Sequence, residues 1–279
     1  MIVVAGATGN VGRPLVAALS AAGEQVTAVS RGTAESAIPP GVRHRAADLA
    51  EPETLRPVLD GAEALYLLVS GAGAHLDAYK ILDVAKTGGV RRVVLQSSQA
   101  AGTRPGSVSH APLLRIEDAL RQSGLDWTIL RPGGFDSNAF AWADGIRERR
   151  TVAAPFGDVG LPTIDPADIA EVAAVVLRKR GHTGRTYELT GPALVSSRER
   201  ARTIGDALGT PVRFVEQSRD EARTQMLRFM PEPVVDGTLA ILGSPTPAEQ
   251  QVSPAVEQIL ARPPRTFADW AVRNLAAFR

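Results

Sequence analysis

The sequence has no cysteine among its 279 residues, and only 5% of the residues are aromatic. A chain without cysteine forms no disulfide framework, no thiol nucleophile, no thiolate zinc site and no iron–sulfur cluster. The histidines His44, His75 and His182 are scattered without the spacing of ligands, so we predict no metal site. This composition suits a reducing compartment, and we expect a cytoplasmic protein.

A surplus of either charge is also missing, because 31 Lys and Arg face 30 Asp and Glu. We therefore expect no nucleic-acid partner, since such partners attract basic chains. No apolar run approaches the roughly 20 residues that cross a bilayer, and the first residues lack the pattern of a secretory signal. We expect a soluble protein without a membrane partner. The absence of a G-x-S-x-G motif argues against an α/β-hydrolase.

What the sequence does contain, up to about residue 190, is an alternation of short β-branched runs with longer stretches of helical period. This alternation is typical of β-α-β units and a parallel sheet. It predicts strands over 2–5, 25–30, 42–47, 64–69, 92–96, 127–130 and 186–189. It predicts helices over 10–22, 51–59, 75–87, 113–123 and 166–179.

Beyond residue 190 the alternation weakens and prolines cluster, which predicts a smaller lobe that ends in a helix over about 266–278. The expected fold is α/β, a doubly wound Rossmann parallel sheet with a smaller, mostly helical substrate-binding lobe. We assign 1–132 and 163–190 to the Rossmann domain, and 133–162 and 191–279 to the lobe.

The strongest motif is a glycine-rich loop of the form G-x-x-G-x-x-G between the first strand and the first helix. Its glycines allow a tight turn, the approach of a pyrophosphate and close packing of helix on strand. The free N–H groups at the start of the helix would then face the phosphates. A plain glycine turn is the alternative. The predicted cofactor contacts in this loop are Gly6, Thr8, Gly9, Asn10, Val11 and Gly12.

The end of the second strand indicates which nucleotide binds. A dehydrogenase that uses NAD places a carboxylate there, whereas this chain has Ser30 and Arg31. An arginine attracts the 2′-phosphate of NADP, so we predict NADP as the cofactor; a solvated surface charge is the alternative for Arg31. Asp48 and Leu49 are predicted to border the adenine, although Asp48 would serve equally well as a helix N-cap.

Three further segments accompany these residues: Val-Val-Leu-Gln-Ser-Ser at 93–98, Trp-Thr-Ile-Leu-Arg-Pro-Gly at 127–133 and Ile-Asp-Pro-Ala-Asp-Ile-Ala at 164–170. With this combination the chain resembles the atypical short-chain dehydrogenase/reductases. Within these it is similar to the NmrA-like NAD(P)-binding group. The resemblance runs to about residue 190 and more loosely to the C-terminus. The group contains NADPH-dependent quinone, ketone and azo-compound reductases, isoflavone-type reductases and redox sensors without turnover. Further cofactor contacts are expected at the strand ends, at Val69, Ser70, Gln96, Pro132, Gly133 and Phe135.

The resemblance fails at one important point. Members of the wider family use a serine after the fifth strand and a Tyr-x-x-x-Lys pair on the next helix. The serine is present as Ser97 or Ser98, of which Ser98 aligns slightly better, but His110 and Leu114 stand in place of the pair. A histidine can donate a proton near neutral pH, so Ser97, Ser98 and His110 are the predicted catalytic residues. A loop histidine without a chemical role is the alternative for His110.

The substrate is predicted to lie beyond the loop at Gly133 and Gly134, at the carboxyl edge of the sheet. Aromatic and apolar side chains would line its pocket and form a lid, although each of them could equally belong to a core. The predicted substrate contacts are Phe135, Asn138, Trp142, Met226, Phe229 and Met230, with Phe140 in the same stretch.

These observations predict an NADPH-dependent reductase that transfers hydride to a ketone or quinone, in particular a polycyclic or polyketide-type compound. The partner would be a small aromatic ketone or quinone, and the protein a monomer or homodimer. The alternative is a non-catalytic NADP-binding redox sensor that acts through a protein partner. The missing tyrosine disfavours a third possibility, an epimerase or lyase.

Overall fold

A parallel sheet forms the centre of the molecule. The computed structural model of the protein describes residues 1–32, 38–69 and 73–279. The strands are β1 (Ile2–Ala5), β2 (Val26–Ser30), β3 (Arg43–Ala46), β4 (Ala64–Leu68), β5 (Arg92–Gln96), β6 (Asp126–Pro132), β7 (Thr151–Pro155), β8 (Gly160–Leu161), β9 (Arg185–Leu189), β10 (Val195–Ser196) and β11 (Arg213–Gln217). Seven of them pair in the order β3-β2-β1-β4-β5-β6-β9, all in parallel. This order confirms the predicted Rossmann sheet. Successive strands are added on one side of β1 up to β3 and on its other side from β4 onward, so the order of the strands reverses between β1 and β4.

The helices confirm the predicted alternation, with boundaries that differ by a few residues. They are α1 (Gly12–Ala21), α2 (Arg56–Leu59), α3 (Ala78–Thr87), α4 (Gln99–Thr103), α5 (Ala111–Gln122), α6 (Ala143–Arg149), α7 (Pro166–Arg178), α8 (Ser197–Leu208), α9 (Arg219–Met226), α10 (Glu232–Gly243), α11 (Ala255–Leu260) and α12 (Phe267–Arg273). Short 3-10 helices span Pro52–Leu55, Asp136–Trp142 and Leu275–Phe278. The predicted final helix is thus α12 followed by a 3-10 turn.

Apolar cores cover both faces of the sheet. On β5, Val94 packs with α1 and α7 on one face, while Val93 and Leu95 pack with α3 and α5 on the other. The central strands β1 and β4 are almost continuously apolar, as expected where both faces of a parallel sheet are buried, whereas the edge strands β3 and β9 contain charged residues. All seven parallel strands end at the same edge, and this edge positions the candidate site.

The lobe contains two small sheets that the sequence analysis did not predict. β7 pairs with β11 in parallel, and β8 pairs with β10 in the antiparallel sense. The lobe has its own apolar core, in which Ile146, Ile204, Trp270 and Phe278 are buried. The described helices include none that combines the length and apolar character of a membrane-spanning segment.

Candidate active site

The glycine-rich loop leads from β1 into α1 in the conformation that a phosphate cradle needs. Gly6 has a φ of +72°, a region that side chains rarely adopt. A Cβ at Gly12 would lie 2.0 Å from the carbonyl oxygen of Gly6 and 2.8 Å from the Cα of Ala7. Val11 precedes α1 without a side chain that caps the helix. The first N–H groups of α1 thus lack a side-chain acceptor from the cap, which fits a bound pyrophosphate.

A cavity of about 370 Å³ opens beside this loop, and the C-terminal helix forms part of its wall. Gly9, Asn10 and Arg13 line it from the loop and α1, while Arg273 and Asn274 line it from the lobe. The sequence analysis did not anticipate either arginine as a neighbour of the phosphate loop. Arg273 is paired with Asp165, which also lines the cavity, so the positive charge that favours phosphate groups at this point is mainly that of Arg13.

The end of β2 contains a hydrogen-bonded pair that the sequence analysis missed. The Ser30 hydroxyl donates to the carbonyl oxygen of Gly32 at 2.9 Å, and it lies 2.8 Å from Nε2 of His44. Because the single hydroxyl proton is directed at Gly32, His44 must donate to Ser30. Arg31 is exposed next to this pair. Its guanidinium is therefore accessible to a 2′-phosphate, and neither Ser30 nor Arg31 is a carboxylate that would repel one.

The predicted adenine border lies in the turn that follows β3. Leu49 packs against the core, and the carboxylate of Asp48 accepts from the N–H of Ala50 at 3.0 Å. The N-cap of the following 3-10 helix is Glu51, so the alternative role of Asp48 as a helix N-cap is wrong. A turn of this kind satisfies its own backbone through the aspartate side chain.

The ends of β4, β5 and β6 would face the nicotinamide. Val69 is half-buried, whereas Ser70 lies outside the residues that the structure describes. Gln96 is buried and accepts a hydrogen bond from the Tyr66 hydroxyl, whose pKa is raised by burial. That tyrosine is therefore a core residue and not a proton donor at this edge.

Gly133 begins the loop after β6 and is closely approached by a side chain that the sequence analysis missed. Its N–H donates to the carbonyl of Leu189 at 2.9 Å. A Cβ at Gly133 would lie 3.4 Å from Oε1 of Gln99, the first residue of α4. The nitrogen of Gln99 reaches the carbonyl of Ala248 in the lobe at 3.4 Å. Gln99 thus connects the ends of β5 and β6 with the lobe.

The two predicted serines after β5 have different environments. The Ser97 hydroxyl donates to Glu117 at 2.6 Å, and Arg131 donates to the same carboxylate at 2.9 and 2.7 Å. Burial alone would raise the pKa of Glu117, but these hydrogen bonds outweigh it and lower the pKa. A charged residue among the apolar positions of α5 was the signal from which Glu117 could have been found.

The Ser98 hydroxyl differs from that of Ser97, because its oxygen acts as an acceptor: it accepts from the N–H of Ala100 at 3.3 Å and caps α4. Its own proton has no acceptor among the described residues. Because the proton of Ser97 is already directed at Glu117, the geometry favours Ser98 as the serine that faces a ligand.

His110 occupies the N-cap position of α5 and is half-buried. Its Nδ1 lies 3.0 Å from the Ser109 hydroxyl and 3.5 Å from the Ser107 hydroxyl. Burial lowers its pKa, as does the charge of Arg104, whereas the charge of Glu249 raises it. The lowered pKa favours the neutral imidazole, and the hydrogen bonds at Nδ1 decide which ring nitrogen carries its proton.

The predicted substrate residues do not all gather in one place. Phe135 is half-buried beside the core, and Asn138 is exposed. Trp142 packs in the lobe core, with the Arg200 guanidinium 5.2 Å from its ring centroid. The core alternative is therefore the better supported one for Trp142. Phe140, its neighbour, packs edge-on against Trp270, with ring centroids 5.0 Å apart.

The predicted lid residues lie around α9 and α10. Met226 and Met230 pack against the small apolar cluster of Ala222, Val235 and Leu239, while Phe229 is 72% exposed. An exposed phenylalanine beside two flexible methionines remains compatible with a lid, and this role stays a prediction.

An unpartnered carboxylate lies directly behind Phe135. Asp136 is fully buried, and neither of its oxygens has a hydrogen-bond partner within the described parts of the chain. Burial raises its pKa to about 6, while the nearby Thr163 hydroxyl and, more weakly, the charge of Arg200 oppose the shift. Arg200 itself loses affinity for its proton through burial, which lowers its pKa to about 10. The sequence offered no signal for this pair.

Comparisons with known proteins agree with this geometry. A family described as NAD(P)H-binding matches residues 6–180. The chain is 34% identical to the (4-alkanoyl-5-oxo-2,5-dihydrofuran-3-yl)methyl phosphate reductase of Streptomyces griseus, over 100% of this chain and 99% of that protein. It is 32% identical to the NAD(P)H azoreductase of Xenophilus azovorans, with coverage of 100% and 99%.

A solved structure shares the fold. The NADPH-dependent quinone oxidoreductase of Escherichia coli complexed with NADPH superposes with a TM-score of 0.83 at 24% identity, over 98% of this chain and 99% of that one. The common architecture includes the lobe, since nearly the whole of both chains is covered.

Proposed function

The chain belongs to the NAD(P)H-binding family, within the NmrA-like group of atypical short-chain dehydrogenase/reductases, and from this premise we propose that it transfers hydride from NADPH to a conjugated ketone or quinone. At the coarser level it is an NADPH-dependent oxidoreductase that acts on a small molecule. The residues that fit the nucleotide are the glycine-rich loop and the end of β2, as described above.

The weak proton donors at the carboxyl edge carry the proposal. The tyrosine and lysine of the wider family are absent, and the groups near the edge are Ser98 and His110. Reduction of a simple ketone builds up an alkoxide, which demands a strong donor. Reduction of a quinone or conjugated ketone gives a delocalised anion, for which a weak donor or water suffices. The site therefore supports an acceptor that stabilises its own negative charge.

The names of the two relatives support the same class. One reductase acts on a furanone in which a carbon–carbon double bond is conjugated with carbonyl groups, and the other is named for azo compounds. Both acceptors can delocalise the charge that a hydride brings. A polycyclic or polyketide-type ketone shares this property and suits an apolar pocket.

When bound, the reduced nicotinamide supplies the hydride, and the chain supplies the remaining functions. The N–H groups of α1 and the guanidinium of Arg31 hold the phosphates. Gly133 and Phe135 orient the acceptor at the edge of the sheet. Ser98 hydrogen-bonds the acceptor oxygen, and Nε2 of His110 or water gives the one proton that, with the hydride, completes the reduction to the alcohol or hydroquinone.

The test is NADPH oxidation, followed at its absorbance band, against quinones, conjugated polycyclic ketones, azo compounds and saturated ketones. We expect turnover of conjugated acceptors and little with saturated ketones. Calorimetry of NADPH binding, done in parallel, interprets a negative result. Tight binding without oxidation of any acceptor would contradict the proposal and favour the redox-sensor alternative.

A further inference from the structure

The segment between α4 and α5, residues 104–110, contains His110, one of the predicted catalytic residues. Backbone hydrogen bonds fold it tightly, from the N–H of Ser107 to the carbonyl of Arg104 at 2.9 Å and from the N–H of His110 to the carbonyl of Ser107 at 3.1 Å. We call this segment the donor loop. The lobe contacts it at two points.

The first contact is a buried ion pair between Arg104 and Glu249. The guanidinium donates to both carboxylate oxygens, at 2.6 and 2.8 Å, and Glu249 is only 1% exposed. The same guanidinium donates to the carbonyl oxygens of Ala240 and Ser244, at 3.3 and 2.8 Å, at the end of α10. A planar guanidinium with this many acceptors holds its partners in one geometry. These hydrogen bonds attach the donor loop to the lobe.

The second contact is made by Gly237, near the middle of α10. A Cβ at this position would lie 2.5 Å from the hydroxyl oxygen of Ser109, so a larger residue there would displace this hydroxyl. Ser109 is also the residue whose hydroxyl meets Nδ1 of His110. Within the described residues, Nε2 of His110 has no hydrogen-bond partner. Helix α10 therefore holds the hydroxyl that orients the ring and leaves the other nitrogen available.

Two charges of opposite sign act on the imidazole of His110. Arg104 belongs to its own loop and Glu249 to the lobe segment that covers the loop, and the two have opposite effects on its proton affinity. On α10 the nearest ionisable residue to the contact is Asp236, which is paired with Arg223 at 2.9 Å. The balance at the ring is therefore set mainly by Arg104 and Glu249.

We propose that Arg104 and Glu249 are positioning residues for His110: their ion pair fixes the donor loop against the lobe and balances the charge that the imidazole experiences. The effect on turnover rests on the proposed function, whereas the effect on His110 itself does not. Neither residue needs to contact the substrate.

The test is an NMR titration of His110 in the free protein and in the protein with NADP⁺, with the signal assigned through His110→Asn. Glu249→Gln leaves the Arg104 cation unbalanced, so the titration midpoint of His110 should fall by roughly 0.5 pH unit or more. Arg104→Gln removes that cation and should raise the midpoint. Arg104→Lys retains the charge and should stay close to the wild type, and it serves as the second variant if Arg104→Gln does not fold.

The matched control is Glu232→Gln, which breaks a solvent-exposed pair with Arg223 on α10 of the same lobe. It should leave the midpoint unchanged. Opposite shifts for Glu249→Gln and Arg104→Gln support the proposal, because a general loosening of the fold would move both midpoints the same way. Equal or absent shifts would overturn it. If the midpoints shift but the pH profile of kcat does not follow, the positioning of the ring stands and His110 is not the proton donor.

Discussion

We predict that single side chains at the end of β2 decide which nucleotide this chain prefers. Arg31 is exposed, and Ser30 is fixed by its contacts with Gly32 and His44, so the strand end offers positive charge and donors rather than a carboxylate. A 2′-phosphate gains charge-assisted hydrogen bonds there, while the ribose hydroxyl of NADH gains little.

Arg31→Asp should therefore shift the preference from NADPH toward NADH. The loss of a charged hydrogen bond and the added repulsion should cost NADPH about 1–3 kcal/mol relative to NADH. Calorimetry with both nucleotides measures this difference directly. Arg43→Asp, an exposed charge on β3, is the control and should change the preference less. If Arg31→Asp bound NADPH and NADH each with the affinity of the wild type, the assignment would be refuted.

His110 is the predicted proton donor of the proposed reaction. If its Nε2 supplies the proton, His110→Ala should lower kcat roughly 100-fold or more with a conjugated acceptor. NADPH affinity should remain unchanged, because the ring is not among the predicted cofactor contacts. Ser98→Ala tests the neighbouring hydroxyl in the same assay. A nearly wild-type rate for His110→Ala would instead assign the proton to Ser98 or water.

Elements with a strong local pattern were predictable from the sequence, and those defined by distant pairing were not. The apolar runs of the central strands, and the helical period of the apolar residues in α1 and α7, can be recognised from the local sequence. β7 has no such signal, because its five residues end in proline and its partner β11 lies about 60 residues further along the chain. His44 was missed for the same reason: the register of β3 on β2, and not the local sequence, brings it to Ser30. The glycine-rich loop was recognisable because its function resides in consecutive residues.

The 3-10 helix Asp136–Trp142 follows β6 and begins with a carboxylate that has no hydrogen-bond partner within the described residues. Because burial raises the pKa of Asp136 from 3.8 to about 6, its protonated form stabilises the folded state. This stabilisation is complete below pH 3.8 and is lost as the pH rises through about 6.

Asp136→Asn should accordingly gain stability relative to the wild type as the pH rises. Between pH 4 and pH 8 the difference in unfolding free energy should change in favour of the variant by up to about 3 kcal/mol. Denaturant unfolding at both pH values measures it, and the other titrating groups cancel in the comparison. Asp126→Asn, on an exposed residue, is the control. Parallel pH curves for wild type and Asp136→Asn would contradict the assignment.

The C-terminal segment of the chain, residues 262–279, returns from the lobe and contacts the start of α7. Asp168 is fully buried there and accepts hydrogen bonds from the Arg262 guanidinium and the backbone of Arg265, each at 2.7 Å. Arg273 pairs with Asp165 one turn earlier. These contacts place α12 beside the phosphate loop, so the segment farthest along the chain completes the wall of a cavity that begins at Gly9.

Asp168→Asn should therefore release this segment. The substitution removes the negative charge that accepts from Arg262 and Arg265, which keep Glu171 as a partner, so the loss should be about 1–3 kcal/mol. Denaturant unfolding should report this loss, and hydrogen exchange should rise first in residues 262–279. The control, Glu63→Gln, breaks an exposed pair with Arg91 whose side chains are 64% and 78% accessible, and it should change stability by no more than about 0.5 kcal/mol. If Asp168→Asn matched that control, the apolar core around Trp270 and Phe278, and not the charge network, would hold the C-terminal segment in place.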